Sequence, residues 1–425
     1  MTPRVGGLRR AGRLSDVDEL ARRYLLLSLR LERVAPGFVD SYVGPPELAE
    51  AVAAEPTPLP ADLHDEALRL REVAAGLDGD DLPSASRRRW FEGQLVAIGA
   101  LARQAGGEEI AFLDLTDQLF GLHVTPVPEA ELAGARDRLD AALPGRGSLA
   151  ARVEAGRDRL IVPPERTLQL LQASARRFRE ITRRDFDLPD EEGIDWEAVH
   201  DQPWGAYASF IGRGRTRVQI NLDLPRQVPL IAYLASHEAY PGHHAEGIVK
   251  EVALIKGAGL GEATLRTMNT PEAVLAEGQA DVAREVVMSD RELEDELRLI
   301  GREVGVDGDW ATVVAASQAT LDLSGALGNA AIMFHHAGRP EAEVRAWLEA
   351  WVPQAPDQVA HAMRIIKDPI GSTYTFTYRE GARLIRPWLE VTGQTSGFWR
   401  LLSEQLSPSV LAAELAEADV AATLH

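Results

Sequence analysis

The sequence predicts a mainly α-helical fold with a small antiparallel β-sheet beside a metal-binding helix. Three observations predict it. Amphipathic runs at helical spacing recur through most of the 425 residues. The convincing strand pattern, a period-two alternation over 217–224, comes just before the apolar segment described next. An almost wholly apolar segment, Val228 to Ala235, runs straight into the octapeptide His237-Glu238-Ala239-Tyr240-Pro241-Gly242-His243-His244.

Taken in chain order, residues 1–14 carry Arg4, Arg9, Arg10 and Arg13 without the apolar core of a signal peptide, and are expected to be a flexible N-terminus. Ser15 and Asp18 offer N-terminal caps for a helix whose Leu20, Tyr24, Leu27 and Leu31 share a face. Similar runs at 59–77, 84–105, 128–142, 148–161 and 165–185 make 15–186 a helical N-terminal half. Asp187 to Asp195 is acidic, with one proline and one glycine, and reads as a linker to a metal-binding half, 196–425, the two forming one two-lobed unit. Val218, Ile220, Leu222 and Leu224 alternate with polar residues as a strand. Ala206, Ala208 and Phe210 suggest its partner across the turn Gly212-Arg213-Gly214-Arg215. After 264 helices return, over 271–289, 309–336, 340–351, 356–366, 376–390 and 408–419. No internal repeat is present.

The formal charge of -20 and a pI near 5.0 argue against nucleic acid and anionic membrane surfaces as partners. No stretch is long and apolar enough to span a membrane, so a soluble cytoplasmic protein is expected. Only Lys250, Lys256 and Lys367 among the 45 basic residues are lysine, which with the alanine richness reads as genomic base-composition bias. There is no cysteine, so any metal must use His, Glu or Asp.

The octapeptide holds three of the ten histidines. In a His-Glu-x-x-His motif the two histidines share a helix face and bind one zinc, and the glutamate works on the metal-bound water. Here Pro241 and Gly242 are inserted. On a straight helix His243 would sit about 120° off the face of His237, and His244 about 10 Å along the axis. Pro241, with no N–H and a ring that clashes with the carbonyl of His237, breaks the helix. Gly242 can take the angles of a bulge. His243 then becomes the expected ligand beside His237, with His244 a neighbour facing substrate or supporting the site; His244 as the ligand is the other possibility. A surface turn at a helix end is the bland reading of the same residues.

A catalytic zinc takes three protein ligands and keeps one position open. Downstream, Pro271 to Asp281 reads as a helix in which Glu277 and Asp281, four apart, share a face. One could coordinate while the other accepts from a ligand histidine's free ring N–H. In a chain with 65 acidic residues, such a pair also reads as a solvated helix face.

The octapeptide resembles a large bacterial family catalogued as domain of unknown function 885. Its signature is His-Glu-x-x-Pro-Gly-His followed by a helix carrying Glu-Gly, and it looks related to the glutamate-ligand zinc peptidases of the thermolysin-like and angiotensin-converting types. The resemblance extends to Arg33–Tyr42, Asn329–His335 and Tyr378-Arg379-Glu380-Gly381. It implies a zincin-like catalytic domain in which His237, His243 and Glu277 hold one Zn²⁺ and Glu238 is the general base; by the same resemblance the edge of the small sheet could hold an extended peptide, or the strands could form a purely structural hairpin. The family commonly carries Trp and an apolar residue where this chain has Gln279 and Asp281, which leaves the supporting role of Asp281 open.

Amide hydrolysis needs a donor for its oxyanion. Tyr378 and Tyr374 are candidates, Tyr378 first because it matches the family's Tyr-x-x-Gly; both also read as packing residues. His335 and His336 could assist, although a helix-end pair near Gly338 reads as a cap. Arg213, Arg215 and Arg379 could bind a substrate carboxylate, or simply be solvated. The expectation is a zinc-dependent metallopeptidase acting on short peptides. The alternatives are a zinc amidohydrolase on a non-peptide amide and a non-enzymatic helical metal-binding protein. The sequence sets neither the oligomeric state nor endo-, amino- or carboxypeptidase action, and its donor set suits several first-row metals.

Overall fold

Apolar stripes at helical spacing turn most of the chain into helices. The computed structural model describes residues 18–77, 82–202, 204–353 and 356–423; segment 1–14 and Ser15 lie outside them. In the first helix, Glu19–Glu32, the predicted stripe Leu20, Tyr24, Leu27 and Leu31 is buried, and the Asp18 carboxylate caps it by accepting from Ala21 N at 2.8 Å. The other expected N-terminal helices form at Pro60–Ala75, Leu82–Ala105, Glu129–Ala142, Leu149–Asp158 and Pro164–Asp185.

Four further helices, Pro46–Ala54, Phe112–Phe120, Asp290–Val304 and Gln394–Ser403, carry patterns the reading passed over. Asp290–Val304 has a reciprocal cap between Ser289 and Glu292 that is legible in the sequence. The run 309–336 is broken into Trp310–Asp322 and Gly325–His335. The run 376–390 belongs to a longer helix, Gly371–Thr392. Among the described residues no helix is long and apolar enough to cross a membrane.

The predicted hairpin is present: Ala206–Gly212 pairs antiparallel with Arg215–Asn221, Ala208 facing Val218. Its turn places Arg213 and Gly214 at φ 56° and 68°, the twist that suits a tight hairpin. The last three residues of the expected linker, Gly193 to Asp195, open a strand, Gly193–Val199, paired parallel to Arg215–Asn221 on its other side. Acidic composition hid the alternation of Ile194, Trp196 and Ala198 with Asp195 and Glu197. Val218 and Ile220 of the central strand are buried in the main apolar cluster.

Four apolar clusters occur among the described residues, and each draws on both sides of 187–195. Tyr24 and Phe91 pack with Leu265, for example, and Leu132 and Val153 with Ala319. The two halves are therefore packed together through shared cores. One crossing positions the site. Helices Pro271–Val287 and Gly371–Thr392 meet at Gly278 and Gly381, so closely that a Cβ on Gly278 would lie 2.3 Å from the Gly381 carbonyl carbon. That approach brings Glu277 beside Tyr374 and Tyr378.

Candidate metal centre

The apolar lead-in forms helix Val228–Leu234, with Val228, Ile231, Ala232 and Leu234 buried. It widens into a π-helical turn, Ala235–Ala239, and a new helix starts at His243. Between them Tyr240 N donates to Ala235 O and Gly242 N to Ser236 O, at 3.2 and 2.9 Å. The Tyr240–Pro241 peptide is cis. Gly242 has φ -73° and ψ -138°, a ψ outside the usual helical and extended ranges, as a bulge requires. Space demands glycine as well: a Cβ there would stand 1.9 Å from the His237 carbonyl oxygen. The kink thus forms where expected, with close approach as a further reason for glycine.

This path brings His237, His243 and Glu277 together, one ligand atom from each lying within 4.8 Å of the others. Glu277 Oε2 is 3.4 Å from His237 Nε2 and 3.7 Å from His243 Nε2. The imidazole rings stand edge to face, 4.7 Å between centroids. Ligands about 2.1 Å from one ion at tetrahedral angles stand roughly 3.4 Å apart. Both carboxylate–imidazole separations exceed a normal hydrogen bond, and buried Glu277 Oε2 has no hydrogen-bond partner among the described residues. A buried acceptor left open between two imidazole nitrogens suits a divalent cation, and the donor set fits.

Around the three, Tyr374 OH donates to Glu277 Oε1 at 2.6 Å, leaving Oε2 toward the histidines. His237 Nδ1 lies 3.2 Å from Asp281 Oδ1, a contact outside hydrogen-bond alignment, and Tyr233 OH donates to the same oxygen at 2.8 Å. Asp281 therefore stands where an acceptor for the ligand imidazole is needed. Tyr378 stacks on His237 with centroids 6.3 Å apart and keeps 36% of its surface exposed.

His244 needs correction as a substrate-facing group. It is wholly buried, its Nδ1 2.8 Å from Thr216 Oγ1 and its Nε2 3.0 Å from Glu192 Oε2. Adjacent helix positions point about 100° apart, so with His243 turned to His237 and Glu277, His244 meets the sheet.

Burial sets the electrostatics. It pushes the Glu238 carboxyl up, the two imidazoles pulling the other way and Glu277 and Asp40 adding to the rise. Burial also opposes charge on Glu277, yet His243 and His237 hold it far below the usual carboxylate range. For His237, desolvation is outweighed by Asp281 and Glu277, which raise it well above the ordinary value.

His237, Glu238, His243 and Glu277 open on a cavity of about 280 Å³, walled also by Tyr374, Tyr378 and the strand residues Ala206, Tyr207 and Ala208. Sequence reasoning gives no role to Asp40, Arg266 and Glu272, which face the same space; Asp40 lies in the stretch Arg33–Tyr42 and Glu272 in the helix Pro271 to Asp281, whereas nothing in the sequence marks Arg266. The arginines it named lie elsewhere. Arg213 is in the hairpin turn, Arg215 pairs with Asp195, and Arg379 pairs with Glu131 and Glu380. His335 is tied to Ile366 O at 2.7 Å and stacks on Phe112.

No family model matches the chain, and no curated protein matches it. Among solved structures, a candidate lipoprotein of unknown function from Shewanella oneidensis superposes with a TM-score of 0.49 at 10% identity, over 87% of this chain and 76% of that one. The similarity is too slight to carry an inference.

Proposed function

We propose that the chain is a zinc-dependent hydrolase that cleaves short peptides, with His237, His243 and Glu277 holding the ion. The observation that carries this reading is Glu277 Oε2, buried, without a hydrogen-bond partner among the described residues and facing two imidazoles, with Glu238 in the same cavity. A bound divalent cation would supply Lewis acidity toward an amide carbonyl and toward water.

The chain's own residues supply the rest. Glu238, next to a ligand but outside the ligand set, accepts a proton from the attacking water as it adds to the carbonyl carbon. It returns that proton to the amine as the C–N bond breaks. A closed structural site would have no use for such a carboxylate. Tyr378, beside His237, supplies a phenol toward the oxyanion, whereas Tyr374 is committed to Glu277. Strand Ala206–Gly212 has one ladder partner among the described residues, so its other edge can take an extended peptide. A cavity of about 280 Å³, at the small end for ligand sites, favours short substrates. The resemblance of the octapeptide to the glutamate-ligand peptidases supports zinc and an amide bond.

The test is metal analysis with a peptide-library digest of wild type and Glu238→Gln. Metal in both proteins and turnover in wild type alone is the expected result. Absence of a stoichiometric divalent metal, or turnover in neither across broad libraries, overturns the proposal.

A further inference from the structure

Arg266 sits in the short strand Leu265–Thr267 and lines the cavity that holds His237 and Glu238. Its guanidinium carries five N–H donors, yet no aligned hydrogen bond engages any of them among the described residues. Nη1 makes an ion-pair contact of 3.1 Å with Glu246 Oε2, but that oxygen is left without a hydrogen bond, and Nη2 is buried without a partner. Glu246 already accepts from Lys250 Nζ at 2.6 Å, so two cations share one carboxylate. Asp40 and Glu272 face the same space, but the Tyr207 phenol donates to the first and Gln94 Nε2 lies 3.4 Å from the second. Neither offers Arg266 an aligned acceptor.

Buried donors of this kind are normally satisfied, and a planar fork of donors matches a carboxylate. We propose that Arg266 is the docking group for a substrate carboxylate, that of a short peptide's C-terminus. A cavity of about 280 Å³, at the small end for ligand sites, favours a chain end over a longer segment of peptide. The proposal rests on the hydrolase reading and narrows it: cleavage occurs close to the C-terminus of a free-acid peptide.

The test uses an equimolar tripeptide library made once as free acids and once as C-terminal amides, plus an amide set ending in Glu. Wild type, Arg266→Met and Arg266→Lys are assayed for kcat/KM, and the free-acid and amide sets are titrated calorimetrically against each protein. Wild type is expected to prefer acids over amides by about ten- to a hundredfold. The ratio should collapse toward one in Arg266→Met and survive in part in Arg266→Lys, which keeps the charge but loses the fork. Each ratio is internal to one preparation, so a partly unfolded variant does not distort it.

A wild-type ratio near one, or an unchanged ratio in Arg266→Met, overturns the assignment. Glu-ending amides cleaved as well as free acids would overturn the C-terminal reading in favour of a side-chain carboxylate. If wild type cleaves nothing, the hydrolase reading fails on its own. The calorimetry then decides Arg266 alone: acid-selective binding lost in Arg266→Met supports it, and its absence overturns it.

Discussion

Glu192 Oε2 lies 3.0 Å from His244 Nε2, both side chains sealed from solvent. The same carboxylate accepts from the Tyr240 phenol and from Arg179. Tyr240 and His244 flank Pro241, Gly242 and His243, so one buried carboxylate fastens both shoulders of the kink. With His244 also held by Thr216 of the central strand, the next ring along, His243, is given its direction.

This clamp makes stability depend on pH. Burial disfavours charge on Glu192, but His244, Tyr240 and Arg179 outweigh it and lower its pKa from 4.5 to about 2. A carboxyl held below its unfolded value stabilises the fold above that value, and the contribution disappears as pH falls through the folded one. Wild type should therefore lose melting temperature between pH 4.5 and about 2. Glu192→Gln should lower the melting temperature at neutral pH and flatten that slope. Differential scanning calorimetry across the range checks it, and equal slopes would remove Glu192 from the account.

Tyr374→Phe deletes the hydrogen bond to Glu277 Oε1 while leaving the ring in place. Partners of a ligand tune metal affinity by about ten- to a hundredfold. The expected outcome is weaker zinc binding by at least about tenfold, read by chelator competition, with an unchanged circular dichroism spectrum. Unaltered affinity would show that Tyr374 only packs.

Gly242→Ala places a methyl 1.9 Å from the His237 carbonyl oxygen, an overlap that only movement of the kink can relieve. Zinc stoichiometry should fall toward zero while overall helicity is retained. A variant that binds zinc like wild type would contradict the close-approach argument.

Gly278→Ala acts on the helix crossing, its methyl meeting the Gly381 carbonyl carbon at 2.3 Å. Overpacking of this kind costs about 1–3 kcal/mol. Because the crossing sets Glu277 beside Tyr374, zinc affinity should fall together with melting temperature. Stability lost without any change in affinity would separate the crossing from the site.

Much of the site was legible because its causes are local. Pro241 lacks an N–H, so the helix must break there, and the count from His237 to His243 follows from helix geometry. The alternation around Val218 likewise announced a half-buried strand. Strand Gly193–Val199 was not legible, because its partner is Arg215–Asn221, beyond the intervening strand.

The sequence by itself determined a helical chain, a helix broken at Pro241 and the placing of two histidines near Glu238, since each depends on neighbours within a few turns. Tertiary structure decided that Glu277 faces the imidazoles while Asp281 lies at the far nitrogen of His237. It also put Tyr374 on the ligand, turned His244 to Glu192, and set Arg266 in the cavity. Those choices join residues far apart in the chain, and they follow from how closely two glycine-faced helices approach and from which buried polar groups find partners.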